Sequence, residues 1–161
     1  MSLLNRTTTT SLPYALDAST PLSPSELNVL RGQYEKERAS GHATTQTKFN
    51  YAWGLVKSDK REEVGEGVGV LADIYRSDPP RRRECLYYLS LGHYKMGNFD
   101  EARRFNSLLM EREPHNMQAQ SLAQLIEKGV KREGIIGMAL VGTAAAASAV
   151  VAAWLLGPRR R

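Results

Sequence analysis

The sequence predicts an all-α protein, a six-helix bundle followed by a C-terminal transmembrane helix. Three observations predict it. Apolar residues recur at helical spacing between Pro, Gly, Ser and Asn breaks, and no run alternates like a strand. Pro80 and Pro114 close two stretches 34 residues apart. Ile135 to Leu156 is a run of 22 residues without a charge.

Each element has its own signal. Ser23-Pro24-Ser25-Glu26 starts the first helix, with Ser23 as cap, Pro24 in the first helical position and Glu26 closing a capping box. Leu27, Leu30 and Tyr34 give it one apolar face, and Ala39-Ser40-Gly41 stops it. A second helix covers Thr45 to Lys57. A third follows Asp59, a candidate cap, with Val64, Val68, Leu71 and Tyr75 in helical register until Asp78-Pro79-Pro80. A fourth runs from Arg82 to Met96, and Gly97 breaks it. Asn98 caps a fifth, with Glu101 three residues on, and Pro114 ends it. A sixth follows Asn116, carries Leu122, Leu125 and Ile126, and leads into the uncharged run.

That run matches a bilayer's hydrocarbon core, since about 20 apolar helical residues are needed to cross one. Lys128, Lys131 and Arg132 precede it, Trp154 lies near its far edge, and Arg159 to Arg161 end the chain. Five residues follow it, so insertion is expected after synthesis, with the preceding helices in the cytosol. Residues 1–23 lack the apolar core of a secretory signal. An Ala- and Gly-rich anchor with basic flanks predicts the mitochondrial outer membrane, with peroxisomes as a second address. The expected organisation is an arm over 1–22, a helical domain over 23–133, an anchor over 134–156 and a basic tail over 157–161.

The 161 residues carry 22 basic and 17 acidic groups. Without the three terminal arginines, 19 basic groups face 17 acidic ones, and no footprint for nucleic acid remains. One cysteine, Cys85, excludes an internal disulfide. His42, His93 and His115 have no metal-binding spacing. No triad, paired carboxylates or redox motif stands out, so no catalytic residue, metal or cofactor is expected. Gly65-Glu66-Gly67-Val68-Gly69 lacks the Gly-Lys-Ser/Thr of a phosphate loop and reads as glycines in a helix, one or more closely packed. Cys85 reads as a small buried residue, and Glu62-Glu63 and Arg81 to Arg83 as solvated charges.

The 34-residue spacing is the tetratricopeptide period. It divides the chain into units Phe49 to Arg82 and Arg83 to Asn116. In the second, Leu86, Leu89, Gly97, Phe99, Ala102 and Pro114 fit the helix-turn-helix pattern, with Ser90 for the usual glycine. The first is degenerate, Val68 replacing the small residue at the helix crossing. In such units the first helix lines a concave surface. The groove positions are Asn50, Trp53 and Lys57 in the first unit. In the second they are Glu84, Tyr87, Leu91, Tyr94 and Lys95, with Tyr88 alongside. Tyr and Trp give large contact area at low entropy cost, suiting a helical or extended peptide ligand. Trp53 reads equally as core or as groove.

The run Phe49-Asn50-Tyr51-Ala52-Trp53-Gly54-Leu55-Val56-Lys57-Ser58 resembles a signature of the mitochondrial fission 1 protein family. So do Cys85 through Lys95, Gly97 through Arg104, and Glu113-Pro114-His115-Asn116. The resemblance covers about Leu12 to Arg161. It implies a non-enzymatic, tail-anchored adaptor in mitochondrial and often peroxisomal division, which recruits a dynamin-related GTPase through adaptor proteins at the concave face. The segment from Leu12 resembles the fungal form, whose N-terminal arm lies along the groove. Composition alone makes residues 1–22 disordered; docking through Leu12, Tyr14 and Leu16 would reconcile the two. The alternative is a tail-anchored tetratricopeptide receptor for chaperones or import precursors. Gly142 and Ala146 form a small-residue pair compatible with a homo-oligomer of anchors, or with chance in an Ala-rich span.

Overall fold

Local capping chemistry decides where the helices begin. The computed structural model describes residues 14–18 and 20–156, with side chains up to Ile136 apart from those of Leu16 and Asp17. Described in chain order are α1 (Ala15–Ala18), α2 (Pro24–Ala39), α3 (Thr45–Lys57), α4 (Arg61–Ser77), α5 (Arg82–Lys95), α6 (Phe99–Arg112) and α7 (Met117–Leu156). A 3₁₀ turn, Pro79–Arg81, joins α4 to α5, and no strand occurs among the described residues. The six expected helices are α2 to α7; α1 is one added turn within the arm.

The capping box at α2 is present. The Glu26 amide donates to Ser23 Oγ at 3.3 Å, and the Ser23 amide donates to Glu26 Oε2 at 2.8 Å. Thr44 caps α3 by accepting from the Thr47 amide, and Asn116 caps α7 by accepting from the Ala119 amide. Asn98 holds the cap position of α6, but its side chain makes no capping bond. Asp59 does not cap α4. Ser58 Oγ accepts from the Lys60 amide and donates to Glu63 Oε2 at 2.5 Å, fixing the turn one residue earlier. Gly41 and Gly97 take φ of 77° and 74°, the left-handed conformation that lets α2 and α5 stop without a Cβ clash.

The helices pack as two hairpins, α3 on α4 and α5 on α6, joined by α4 against α5, with α2 on α3. Close crossings rest on three glycines, the first being Gly54, where a Cβ would lie 2.8 Å from Leu30 Cδ1 of α2. A Cβ on Gly67 would lie 2.8 Å from the Ala52 carbonyl oxygen, so α4 meets α3 backbone to backbone. A Cβ on Gly92 would lie 2.5 Å from Val68 Cγ2. The first unit's degeneracy is thereby resolved. Gly67 supplies the close approach to α3, and Val68 turns its bulk toward Gly92 of α5. In the second unit Ser90 Oγ donates to the Ala102 carbonyl at 2.8 Å, so the serine in the glycine position ties α5 to α6.

The core runs along α5, whose residues Cys85 through Gly92 are all buried, and takes in Leu55, Leu71, Leu109, Leu122 and Ile126. Contacts divide the chain within α7, Ile126 ending one compact unit and Glu127 starting another. The second unit is helical to Leu156. From residue 137 the expected anchor lies outside the described side chains, as the basic tail lies outside the described residues altogether. No helix among the described residues is long and apolar enough to cross a membrane.

Candidate partner-binding groove

The inner helix of each hairpin, α3 and α5, brings Trp53, Lys57 and Tyr88 of the expected groove residues together. Trp53 is half-buried, with the Lys57 ammonium 4.8 Å from its ring centroid. The same indole lies near the Tyr88 hydroxyl and offsets part of the upward push that burial gives that phenol. Tyr88 meets Phe49 edge-on at 5.9 Å and Tyr87 at 5.3 Å. Such edge contacts are worth about 1 kcal/mol beyond area burial. Asn50 accepts from Gln46 Nε2 at 2.7 Å, and Arg81 bonds the other end of that amide while its guanidinium lies over Phe49. One continuous patch therefore carries Lys57, Trp53, Tyr88, Phe49 and Asn50.

Other expected groove residues sit differently. Tyr87 and Leu91 are wholly buried, and Tyr88 is nearly so. Glu84 is half-buried near Tyr88. Tyr94 is half-buried and tilts against Phe99 at the start of α6, so it serves the α5–α6 hairpin. Lys95 Nζ donates to the Lys57 and Ser58 carbonyls at 3.0 and 2.8 Å, tying the end of α3 to α5.

Two residues of the arm belong to the same core. Ala15 and Ala18 of α1 are buried within the same contiguous apolar cluster as Phe49, Ala52, Tyr87, Tyr88 and Leu91. Tyr14 is 45% exposed and lines an open cavity of 410 Å³ with Arg83, Glu113, Pro114 and Met117. Leu12 and the Leu16 side chain fall outside the described residues. Two alanines, too small to stand out in a sequence, thus make the described arm contacts.

Charges read as solvated prove structural at two points. Arg83 Nε reaches Glu113 at 2.5 Å, both side chains largely covered, and this guanidinium holds the Glu113 carboxyl below the usual carboxylate range. Glu63, held by Ser58, Lys60 and Arg31, is likewise lowered, chiefly by the Ser58 hydroxyl. Both bonds cross between elements, which local charge patterning does not reveal.

Burial pushes the Cys85 thiol up to about 12, leaving it a neutral, enclosed group and no nucleophile. His93 stacks on Phe105 at 5.4 Å, while His42 and His115 are exposed. Among the described residues no cluster of His, Cys, Asp or Glu is placed to hold a metal. What α3 and α5 present here is a half-buried indole over buried aromatics, with a cation at one end and an amide at the other.

Comparison with known proteins bears on this surface. Models of the Fis1 N-terminal and C-terminal tetratricopeptide repeats match residues 46–78 and 83–135. A mitochondrial fission 1 protein of Mycosarcoma maydis is 74% identical over 151 residues, 94% of this chain and 99% of the relative. Yeast Fis1 has been solved in complex with an Mdv1 fragment containing its N-terminal extension and coiled-coil domains. That chain is 42% identical, with a TM-score of 0.71 over 76% of this chain and 96% of its own length. Yeast Fis1 complexed with a fragment of Caf4 is 47% identical, with a TM-score of 0.53 over 58% of this chain and 94% of that one.

Proposed function

The chain belongs to the mitochondrial fission 1 protein family, and from that premise we propose that it is a non-enzymatic receptor on the mitochondrial outer membrane. Its groove takes a helical segment of an adaptor protein, and the adaptor concentrates a dynamin-related GTPase on the organelle, peroxisomes included. The observation that carries this reading is the joining of Trp53, Lys57 and Tyr88 on the α3–α5 face. The Mdv1 and Caf4 fragments bound by yeast Fis1 support the class of partner.

The physical logic needs no chemistry. An anchor over 134–156 confines the groove to a surface and raises its effective concentration for any partner arriving there. The half-buried Trp53, Asn50, Glu84 and Lys57 are available at once. Tyr87, Tyr88 and Leu91 become available as the arm yields Ala15 and Ala18. The arm then sets the affinity, since a partner must displace it or share the groove with it. Lys95 is already committed to two carbonyls, which takes one cation away from clamping a terminal carboxylate in the manner of a chaperone-tail receptor.

The test is a binding measurement with full-length protein in lipid vesicles and an Mdv1-like helical fragment. Trp53→Ala is expected to weaken binding at least tenfold, the size of an interface anchor's loss, with little change in helicity. Unchanged affinity in a folded variant would remove the groove assignment. Removal of residues 2–22 is expected to change affinity in either direction; no change would detach the arm from the mechanism.

A further inference from the structure

Between the arm and the helical domain the chain reads Thr20-Pro21-Leu22-Ser23-Pro24, two hydroxyl-proline dipeptides three residues apart. Thr20, Pro21, Ser23 and Pro24 are exposed. Ser23 has φ −61° and ψ 150°, an extended backbone. A residue before proline is driven to that conformation, because the pyrrolidine ring excludes the helical region. An enzyme that selects proline after its acceptor meets this strand in a ready shape. Leu22 is half-buried, and a Cβ on Gly54 would lie 3.4 Å from its Cδ1, so the segment is pinned at one point and open on either side. The helix that follows, α2, contains no buried residue, so its first turn can loosen without disturbing the core.

We propose that this hinge is a substrate of a proline-directed protein kinase, with Ser23 the acceptor, and that the phosphate opens the capping box that starts α2. In the reaction the Ser23 hydroxyl oxygen bonds to the γ-phosphorus of ATP. The bond from that phosphorus to the β–γ bridging oxygen breaks, ADP leaves, and the hydroxyl proton passes to the kinase's base.

The consequence follows from what Ser23 touches. Its hydroxyl donates to Glu26 Oε2 at 2.7 Å, and its amide donates to the same oxygen at 2.8 Å. Phosphorylation removes the donated proton and sets two further negative charges against that carboxylate. Glu26 is expelled, and the Ser23 amide loses its acceptor. A phosphate beside a helix N-terminus is otherwise favourable, so the outcome turns on Glu26 alone. The hinge would then transmit a chemical mark to the first turn of α2 and to the segment that follows α1. This holds whether or not the groove is the partner site, because it rests only on the hinge.

The experiment uses the full-length chain purified under phosphatase inhibition from cells that express it natively. Mass-spectrometric mapping is expected to place phosphate on Ser23, and Pro24→Ala is expected to abolish it. Phosphate absent from Ser23, or undiminished in Pro24→Ala, overturns the proposal. Hydrogen exchange on the same protein separates the mark from its effect. The Ser23 amide, which loses its bond to Glu26 Oε2, is expected to exchange about tenfold faster when Ser23 is phosphorylated, the scale of a lost cap. In Glu26→Gln that acceleration should vanish, since no carboxylate remains to be repelled. No acceleration in the natural chain, or equal acceleration in both, overturns the capping-box mechanism.

Discussion

Helices α2 and α5 have similar lengths and opposite means of support. In α5 every residue from Cys85 to Gly92 is buried, and helices pack on it from several sides. In α2 nothing is buried; it is held by a capping box, by Leu27 and Leu30 resting over Gly54, and by Tyr34 stacked on Tyr51 at 4.7 Å. The difference shows that this fold separates its load from its edge. The centre depends on volume and close approach, and the edge depends on a few directional bonds.

Perturbations of decreasing size should follow that division. Leu89→Ala in α5 removes a wholly buried side chain and is expected to cost about 3 kcal/mol of global stability by urea denaturation. A loss under about 1 kcal/mol would mean the site collapses freely and α5 is not the centre. Gly67→Ala is expected to cost about 2 kcal/mol, because the added carbon meets the Ala52 carbonyl and backbone cannot swing aside. Ser23→Ala is expected to cost about 1 kcal/mol, confined to α2 and read by exchange of its first-turn amides. If the global midpoint moved as far as for Gly67→Ala, α2 would belong to the centre.

The smallest expected effect is on pH dependence. Burial holds the His93 imidazole below its ordinary value in the folded chain, outweighing a pull upward from Glu101. Between the lowered folded value and an unfolded value of about 6.5 the unfolded chain binds more protons, so stability is full above that range and falls as pH falls through it. His93→Phe should flatten a plot of denaturation midpoint against pH in this window. A plot unchanged by the substitution would separate His93 from the acid response.

Much of this was legible in the sequence, for physical reasons that can be named. Ser23 and Pro24, Gly41, Gly97 and Pro114 act on the backbone within a turn of themselves, so helix starts and stops could be read locally. The span of α3 agrees with its approximate expected limits. Asp59 misled because any short acid before a helix looks like a cap, whereas Ser58 had Glu63 to share the turn with. The contact of Trp53 with Lys57 was legible, since the two lie four residues apart on one face of α3. How deeply each expected groove residue sits was not. Tyr87 and Leu91 are closed over in a cluster that includes Ala15 and Ala18, and nothing in an alanine's chemistry marks it as a contact. The Arg83–Glu113 pair spans 30 residues, beyond any local pattern.

The sealed position of Cys85 has a practical consequence. With one cysteine in the chain and that one inside α5, the molecule is silent to maleimides until it is given a second sulfhydryl. Tyr14→Cys on the arm would accept a single spin label or fluorophore in the otherwise natural sequence. With a partner dye introduced at Asn50, the separation of the arm from α3 would become a distance that can be followed in time.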